Sequence, residues 1–154
     1  MDLWRLDQLG KPFATHQLPV AGEPTMSFSR DGKLLATGAF GNIHIWRVEE
    51  PESKALQIPV ESLGNMGYTS ALFSSNGKFV VTTSALKIRI WQLDRLQTQE
   101  QFDTTPDYML TEFFTGSIIA AALMSDDESI LTASNFGQVL QWRPDHRSST
   151  WMDL

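Results

Sequence analysis

The residues of this chain that could carry out chemistry are few and far apart in sequence. Its three histidines are His16, His44 and His146, and it has no cysteine. A zinc site needs Cys or His ligands at close and regular spacing, and no such spacing occurs. No serine lies in a Gly-x-Ser-x-Gly turn, and neither of the common glycine-rich phosphate-binding motifs is present. The sequence therefore predicts no catalytic, metal-binding or cofactor-binding residues.

The densest acidic cluster, Asp126 to Glu128, could bind a hard cation such as Ca²⁺ through its carboxylates. It lacks the glycine and the spaced oxygen ligands of a calcium-binding loop. It also stands where two other parts of the chain carry a tight turn, so a solvated turn is the favoured interpretation. His44 alternates with Ile43 and Ile45, which predicts a strand whose imidazole faces away from the two isoleucines.

The composition is that of one globular domain that binds neither nucleic acid nor membrane. The chain has 154 residues, of which 42% are hydrophobic and 19% charged. Its net charge of −6 is opposite to the basic surface that nucleic acid and anionic membranes require. The longest apolar run, 118–124, is far shorter than the roughly 18 residues of a membrane span. Because no secretory signal pattern occurs at the N-terminus, a cytoplasmic location is expected.

A repeated pattern organises the chain. Tryptophans recur at intervals of 42, 45 and 51 residues, as Trp4, Trp46, Trp91 and Trp142. The last three are each preceded, 15 residues earlier, by a turn residue: Asp31, Asn76 and Asp127. A serine stands two residues before each turn residue, as Ser29, Ser74 and Ser125. A fixed internal spacing with variable outer spacing predicts a repeated supersecondary unit joined by variable loops.

Within each unit, short runs of alternating apolar and polar residues are separated by turn residues, which predicts β-strands rather than helices. The first full unit predicts strands at 25–29, 33–38, 42–47 and 55–60. The second predicts strands at 69–74, 78–83, 87–92 and 99–103. The third predicts strands at 118–125, 129–133, 138–143 and 149–153. Before the first full unit, 3–6 and 10–16 predict the last two strands of a partial unit.

The order Ser-x-Asp-Gly-Lys, then Leu-x-x-Thr, then Ile-x-Ile-Trp resembles the WD-repeat family of β-propellers, and the repeat junctions are similar to those of its bacterial members. In that family, a repeat of about 40–45 residues forms one four-stranded blade. The resemblance implies an all-β fold, a β-propeller segment of about three and a half antiparallel blades in an incomplete ring. It implies a half blade at 1–19 and blades at 20–62, 63–105 and 106–154.

Two positions depart from the family pattern. The residue after each tryptophan is Arg or Gln instead of Asp. The residue six before the tryptophan is Phe40, Ala85 or Phe136, where the family has the Asp of a buried hydrogen-bond network. The usual network is therefore expected to be missing, so that each blade depends more on apolar packing.

The resemblance implies a ring of about seven blades, and this chain supplies about half of them. An oligomer or a longer parent chain is therefore expected to close the ring. A simple pair of copies would leave defects, because each half blade lacks its first and second strands.

The resemblance also implies a protein or peptide partner, bound by the turns between second and third strands and by the loops between blades. The candidate contact residues are Phe40, Tyr68, Leu86 and Phe136. The two phenylalanines could be exposed anchors for a partner. They could also fold inward and fill the space left by the missing network, which is the slightly favoured orientation. The insertion at 107–114 is equally compatible with a contact loop and with a packed connector.

The function that these observations favour is a non-catalytic scaffold for protein–protein interaction. The alternative is the sensor or regulatory portion of a multidomain signalling enzyme, whose ATPase, protease or kinase domain lies outside this chain. A stand-alone enzyme built on the propeller is the least favoured hypothesis.

Overall fold

The structure is a computed structural model that describes residues 2–4, 10–12, 14–15, 25–39, 42–50, 53–59, 69–84, 87–98, 106, 108–110, 116–124, 129–143 and 149–152. Within these ranges the secondary structure consists of fourteen strands and one short helix, which confirms the all-β fold class. The strands form one two-stranded and three four-stranded antiparallel sheets.

The two-stranded sheet consists of β1 (Asp2–Leu3) and β2 (Ala14–Thr15). In its register, Asp2 lies opposite Thr15 and Leu3 lies opposite Ala14. The Thr15 hydroxyl donates a hydrogen bond of 2.8 Å to the Asp2 carboxylate. These two strands are shorter than predicted, but they pair as the predicted third and fourth strands of a partial unit would.

Sheet 1 contains four strands in chain order, each joined to the next: β3 (Thr25–Phe28), β4 (Leu34–Ala39), β5 (Asn42–Arg47) and β6 (Leu56–Pro59). The bounds agree with the predicted strands to within one residue. The bounds could be predicted because successive side chains of a strand point to opposite faces of its sheet. Ile43 and Ile45 face one neighbouring sheet, while Trp46 faces the other.

Sheet 2 contains β7 (Thr69–Phe73), β8 (Phe79–Ser84), β9 (Lys87–Gln92) and β10 (Tyr108–Leu110). Its fourth strand corrects a prediction. Segment 99–103, which was expected to form it, lies outside the described residues, and β10 pairs with β9 instead. The described part of the 107–114 insertion is thus a strand. The predicted blade boundary after residue 105 falls before this strand, although the strand belongs to sheet 2.

A short helix, α1 (Leu93–Thr98), follows β9 directly and explains the displaced fourth strand. It contains good helix formers, Leu, Arg and Gln, and has Asp94 in its first turn. Leu93 is buried in the core between sheets 1 and 2. The segment is too short to show a helical apolar stripe, so the sequence did not predict it.

Sheet 3 contains β11 (Ile118–Leu123), β12 (Ile130–Ser134), β13 (Val139–Trp142) and β14 (Ser149–Met152). The register between β11 and β12 shifts between Ile118 and Ala120, where one residue is left without a cross-strand partner. The four predicted strands of this unit are found with bounds within two residues.

The register of sheet 3 reassigns one repeat residue. The cross-strand partners of the repeat tryptophans are Leu35 for Trp46, Val80 for Trp91 and Ile130 for Trp142. In sheets 1 and 2 the partner follows Asp31 or Asn76 by four residues, but it follows Asp127 by only three. The equivalent position in the third unit is therefore Asp126. Both aspartates lie outside the described residues, and the reassignment comes from the flanking strands.

The same register places 16 residues, not 15, between Asp126 and Trp142. The first hairpin of the third unit is as long as in the other units, and its second hairpin is one residue longer. The backbone N–H of Met124 donates to the carbonyl of Ser129 at 2.9 Å, as Ser29 does to Leu34. Met124, rather than Ser125, is therefore the structural equivalent of Ser29 and Ser74.

Three apolar clusters join the sheets face to face. Sheets 1 and 2 share a cluster that contains Leu34, Ala36, Ile43, Ile45, Ile58, Ala71, Val80, Trp91 and Leu93. Sheets 2 and 3 share one that contains Val81, Ile88, Ile90, Ile118, Ile130, Leu140 and Trp142. A smaller one joins the two-stranded sheet to sheet 1 through Leu3, Leu35 and Val48. Each large side chain buried in this way contributes about 1.5–3 kcal/mol.

The first strands of the sheets lie side by side. β3 contacts β7, and β7 contacts β11, while the later strands of each sheet follow outward in order. Each sheet therefore has an upstream face towards the preceding sheet and a downstream face towards the next one. The repeat tryptophans Trp91 and Trp142 lie on upstream faces, where they enter the two larger clusters.

Candidate interaction surface

The turn between β12 and β13 presents Phe136 to solvent. The Ser134 N–H donates to the Gln138 carbonyl at 2.9 Å, and the Gly137 N–H donates to the Ser134 carbonyl at 3.0 Å. The Ser134 hydroxyl accepts longer bonds from the N–H groups of Phe136 and Gln138. Gly137 has a φ of 80°, which a residue with a side chain rarely adopts. The glycine thus closes a tight turn with Phe136 at its tip.

The segment that enters β11 supports the Phe136 side chain. Ser117 N–H donates to the Asn135 side-chain oxygen at 2.9 Å, and Asn135 N–H donates back to the Ser117 carbonyl at 3.0 Å. Gly116, with a φ of 86°, packs so closely that a Cβ placed on it would overlap the Phe136 ring. The turn and the entry segment therefore form one surface, here called the Phe136 surface: Gly116, Ser117, Asn135, Phe136 and Gly137.

Phe136 is 76% exposed, so its ring does not fill the interior. The slightly favoured prediction, that this residue folds inward, is wrong for Phe136. The physical reason lies in the hairpin, because the extra residue in this turn and the close approach of Gly116 hold the ring outside the sheet.

The other predicted contact residues, Phe40, Tyr68 and Leu86, lie outside the described residues. The strands that flank two of them are described. Ala39 pairs with Asn42 at the end of sheet 1, and Ser84 pairs with Lys87 at the end of sheet 2. Both pairs close the hairpin between the second and third strands, so these turns leave their sheets at the same end as the Phe136 turn.

A threonine on the second strand is the hydrogen-bond partner of each repeat tryptophan. Each indole N–H donates to a threonine hydroxyl on the second strand: Trp46 to Thr37 at 3.0 Å, Trp91 to Thr82 at 3.0 Å and Trp142 to Thr132 at 2.9 Å. Trp91 and Trp142 are buried and Trp46 is half-buried. Each blade is thus held by this polar contact in addition to apolar packing. The sequence contained the signal for it in the threonine two positions after each tryptophan's cross-strand partner.

Of the three histidines, only His44 lies within the described residues. It is buried and stacks on Trp46 with ring centroids 5.8 Å apart. Burial lowers the pKa of the His44 imidazole below its usual value, because the cation is poorly solvated there. His44 is thus a packing residue of sheet 1, buried beside Trp46. Among the described residues, no group of three or more His, Cys, Asp or Glu could hold a metal ion.

The opposite face of the protein carries the turns between first and second strands. In sheet 1, the Ser29 hydroxyl donates to the Asp31 carboxylate at 2.7 Å and accepts from the Leu34 N–H at 2.9 Å. The Lys33 N–H also donates to Asp31. The Ser29 and Lys33 hydrogen bonds lower the pKa of the Asp31 carboxyl. Sheet 2 repeats this arrangement with Ser74 and Asn76, and both turns use a glycine with positive φ.

A groove of about 890 Å³ lies between these two turns. Leu34 and Leu93 form part of its lining, and charged side chains of both signs surround it. Arg30 crosses the groove and donates to the Ser75 carbonyl at 3.2 Å, while Arg47 pairs with Glu50 at 3.3 Å. The groove lies between sheets 1 and 2, and neither sign of charge dominates its lining.

Comparison with known proteins supports the fold and leaves the family open. No protein-family model matches the chain, and no curated protein matches it by sequence. Among solved structures, it is similar to the crystal structure of the β-propeller domain of Cps50 (Swd1) from Myceliophteria thermophila, with a TM-score of 0.63 at 17% sequence identity. The match covers 82% of this chain and 37% of that domain.

The similarity confirms the predicted fold class, an incomplete β-propeller built of four-stranded antiparallel blades. Sheets 1, 2 and 3 are its blades, and the two-stranded sheet is a half blade. The chain spans little more than a third of the propeller domain that it matches. No helix in the described part of the chain has the length and apolar character needed to cross a membrane.

Proposed function

We propose that this chain is a protein–protein interaction scaffold of WD-repeat type, and that the Phe136 surface is where it contacts a protein or peptide partner. The observation that carries this proposal is the 76% exposure of Phe136 on a turn that is held by six backbone and side-chain hydrogen bonds. Similarity to a propeller domain supports a scaffold role in general. A cytoplasmic location and a parent signalling enzyme stay predictions.

Exposed aromatic rings on ordered turns make good interface anchors for two reasons. A phenylalanine offers a large apolar area, and its burial by a partner is favourable by up to about 3 kcal/mol. Little conformational entropy is lost when the ring is already held, here by Gly116 beneath it. The uncharged polar groups around the ring, Asn135, Ser117 and Gln138, could form a hydrogen-bonding rim.

The test is a quantitative comparison of the proteins captured by immobilised wild-type chain and by the Phe136→Ser variant. Loss of a hot-spot aromatic typically costs 2 kcal/mol or more, which is about a thirtyfold loss of affinity. At least one protein that binds the wild type is therefore expected to be lost from the variant. Its direct binding to the purified chain is then measured by titration calorimetry.

Met109→Ser is the matched control, because Met109 is 52% exposed on the edge strand β10 of sheet 2, whereas the Phe136 surface belongs to sheet 3. The control variant should capture the partner as the wild type does, and both variants should unfold at the wild-type urea concentration. Equal recovery of every bound protein by the wild type and Phe136→Ser would contradict the proposal.

A further inference from the structure

The Asn135 side chain is a neighbour of the Phe136 ring on the Phe136 surface. A Cβ placed on Gly116 would overlap both the Asn135 side-chain oxygen and the Phe136 ring, so the amide and the ring lie against the same side of Gly116. Asn135 and Phe136 are both exposed. They lie beyond Ala133 and Val139, the last cross-strand pair of β12 and β13. The two groups therefore belong to a turn at the end of sheet 3, and not to a sheet face on which a neighbouring blade packs.

One hydrogen bond fixes the direction in which the Asn135 amide points. The backbone N–H of Ser117 donates to the Asn135 side-chain oxygen at 2.9 Å. Because a backbone N–H can only donate, the side-chain atom that faces it is the oxygen, and the Nδ2 group points the other way. The Asn135 backbone N–H donates to the Ser117 carbonyl at 3.0 Å and holds the main chain beside it. The amide is thus held in place without the use of its Nδ2 donors.

The Asn135 Nδ2 group has no acceptor within the part of the chain that the structure describes. The side chain is exposed, so this donor is solvated in the free protein. A partner that covers the Phe136 ring would also remove solvent from the donor, because the ring and the amide are neighbours. Such a partner must supply an acceptor of its own, since a buried donor without an acceptor weakens binding.

The charge of the surroundings indicates which kind of acceptor fits. The other residues of the Phe136 surface are Gly116, Ser117 and Gly137, and none of them carries a charge. A carboxylate or phosphate on the partner would therefore lose its solvation without meeting a cation. The net charge of −6 on the chain also opposes an anion. An uncharged carbonyl oxygen loses less solvation, and every residue of a peptide carries one in its main chain.

We propose that Asn135 determines the specificity of the Phe136 surface. Its Nδ2 group donates to a main-chain carbonyl of the partner, while an apolar side chain of the same partner segment packs on the Phe136 ring. The occupant is an extended, uncharged peptide segment, because the carbonyls inside a helix already accept hydrogen bonds from their own chain. This inference rests on the proposed function, since it concerns the same surface.

The test uses short random peptides displayed on phage, selected on the immobilised wild-type chain and depleted on the Phe136→Ser variant. The affinities of the selected peptides for the wild type and for Asn135→Asp are then measured by titration calorimetry. The aspartate has the shape of asparagine and still accepts from the Ser117 N–H, but its ionised side chain has no donor. Asn135→Asp should therefore unfold at the wild-type urea concentration, while its affinity for the peptides should fall by at least about tenfold.

Asn76→Asp is the matched control, because it adds the same charge to a turn on the opposite face, where sheet 1 has Asp31 at the equivalent position. It should bind the peptides as the wild type does.

Two results would overturn the inference and leave the proposed function standing. One is equal binding by the wild type and Asn135→Asp. The other is a loss of affinity that disappears at about 0.5 M salt, because the added charge, and not the missing donor, would then be responsible. If no selected peptide binds the wild type more tightly than Phe136→Ser, the proposed function fails together with this inference.

Discussion

The hydrogen bond from each repeat tryptophan to a threonine should contribute to stability in proportion to its burial. Thr82→Val keeps the shape of the side chain and removes the oxygen to which the buried Trp91 indole donates at 3.0 Å. Trp91 is 1% exposed, so water cannot easily replace the lost acceptor. A buried donor that loses its partner costs about 1–3 kcal/mol. Thr37→Val removes the same bond from the half-buried Trp46, where water can replace the hydroxyl.

Urea unfolding followed by tryptophan fluorescence measures the difference. With a slope of about 2 kcal/mol per molar urea for a chain of this size, a loss of about 2 kcal/mol lowers the midpoint by about 1 M. We expect Thr82→Val to lower the midpoint by about this much and Thr37→Val by less than half as much. Thr132→Val should resemble Thr82→Val, because Trp142 is also buried.

The reasoning is refuted if Thr37→Val and Thr82→Val lower the midpoint equally, or if neither lowers it. The first result would show that burial does not set the contribution of this hydrogen bond, and the second that apolar packing alone fixes the tryptophans. A third variant, Thr82→Ser, retains the hydroxyl and serves as the control, since it should recover most of the loss apart from the cost of one missing methyl group.

Two further predictions concern backbone conformation and pH. Gly116→Ala should destabilise the protein by about 1–3 kcal/mol in urea unfolding, because φ is 86° and the added methyl group overlaps Phe136, whereas Gly10→Ala, with open space around it, should not. Because burial lowers the pKa of His44 below that of the unfolded chain, the unfolded state binds the proton first as pH falls through about 6.5. The wild type should therefore lose thermal stability between pH 7 and pH 5, and His44→Gln should lose less; an equal loss in both would contradict the role of His44.

The third strands could be predicted from the sequence because several signals agree in them. Segments 42–47 and 87–92 alternate Ile with another residue and carry a tryptophan at the last position but one, and both strands have the predicted bounds. The fourth strand of sheet 2 could not be predicted, because Tyr108–Leu110 is a three-residue edge strand. Its position depends on α1, whose six residues carry no periodic signal of their own.

The site was predicted less completely than the fold. The position of Phe136 on the turn between the second and third strands followed from counting back from Trp142. The outward direction of the Phe136 side chain could not be predicted in this way. It depends on a contact with Gly116, which is distant in sequence, and on the position of Asn135, which varies with turn length. The constant 15-residue spacing concealed that turn length, because in the third unit it is counted from Asp127, one residue after the equivalent of Asp31 and Asn76.

The unequal covering of the blades has a consequence for how the molecule opens. Sheet 2 is covered on both faces, and its strand β8 is almost entirely buried, whereas the outward residues of β11 are exposed. Repeats that contact only their neighbours open from the ends of the array. Amide hydrogens of β8 and β9 should therefore exchange with deuterium last and report global unfolding. Those of β1 and β11 should exchange earlier, through local opening that leaves the central blade intact.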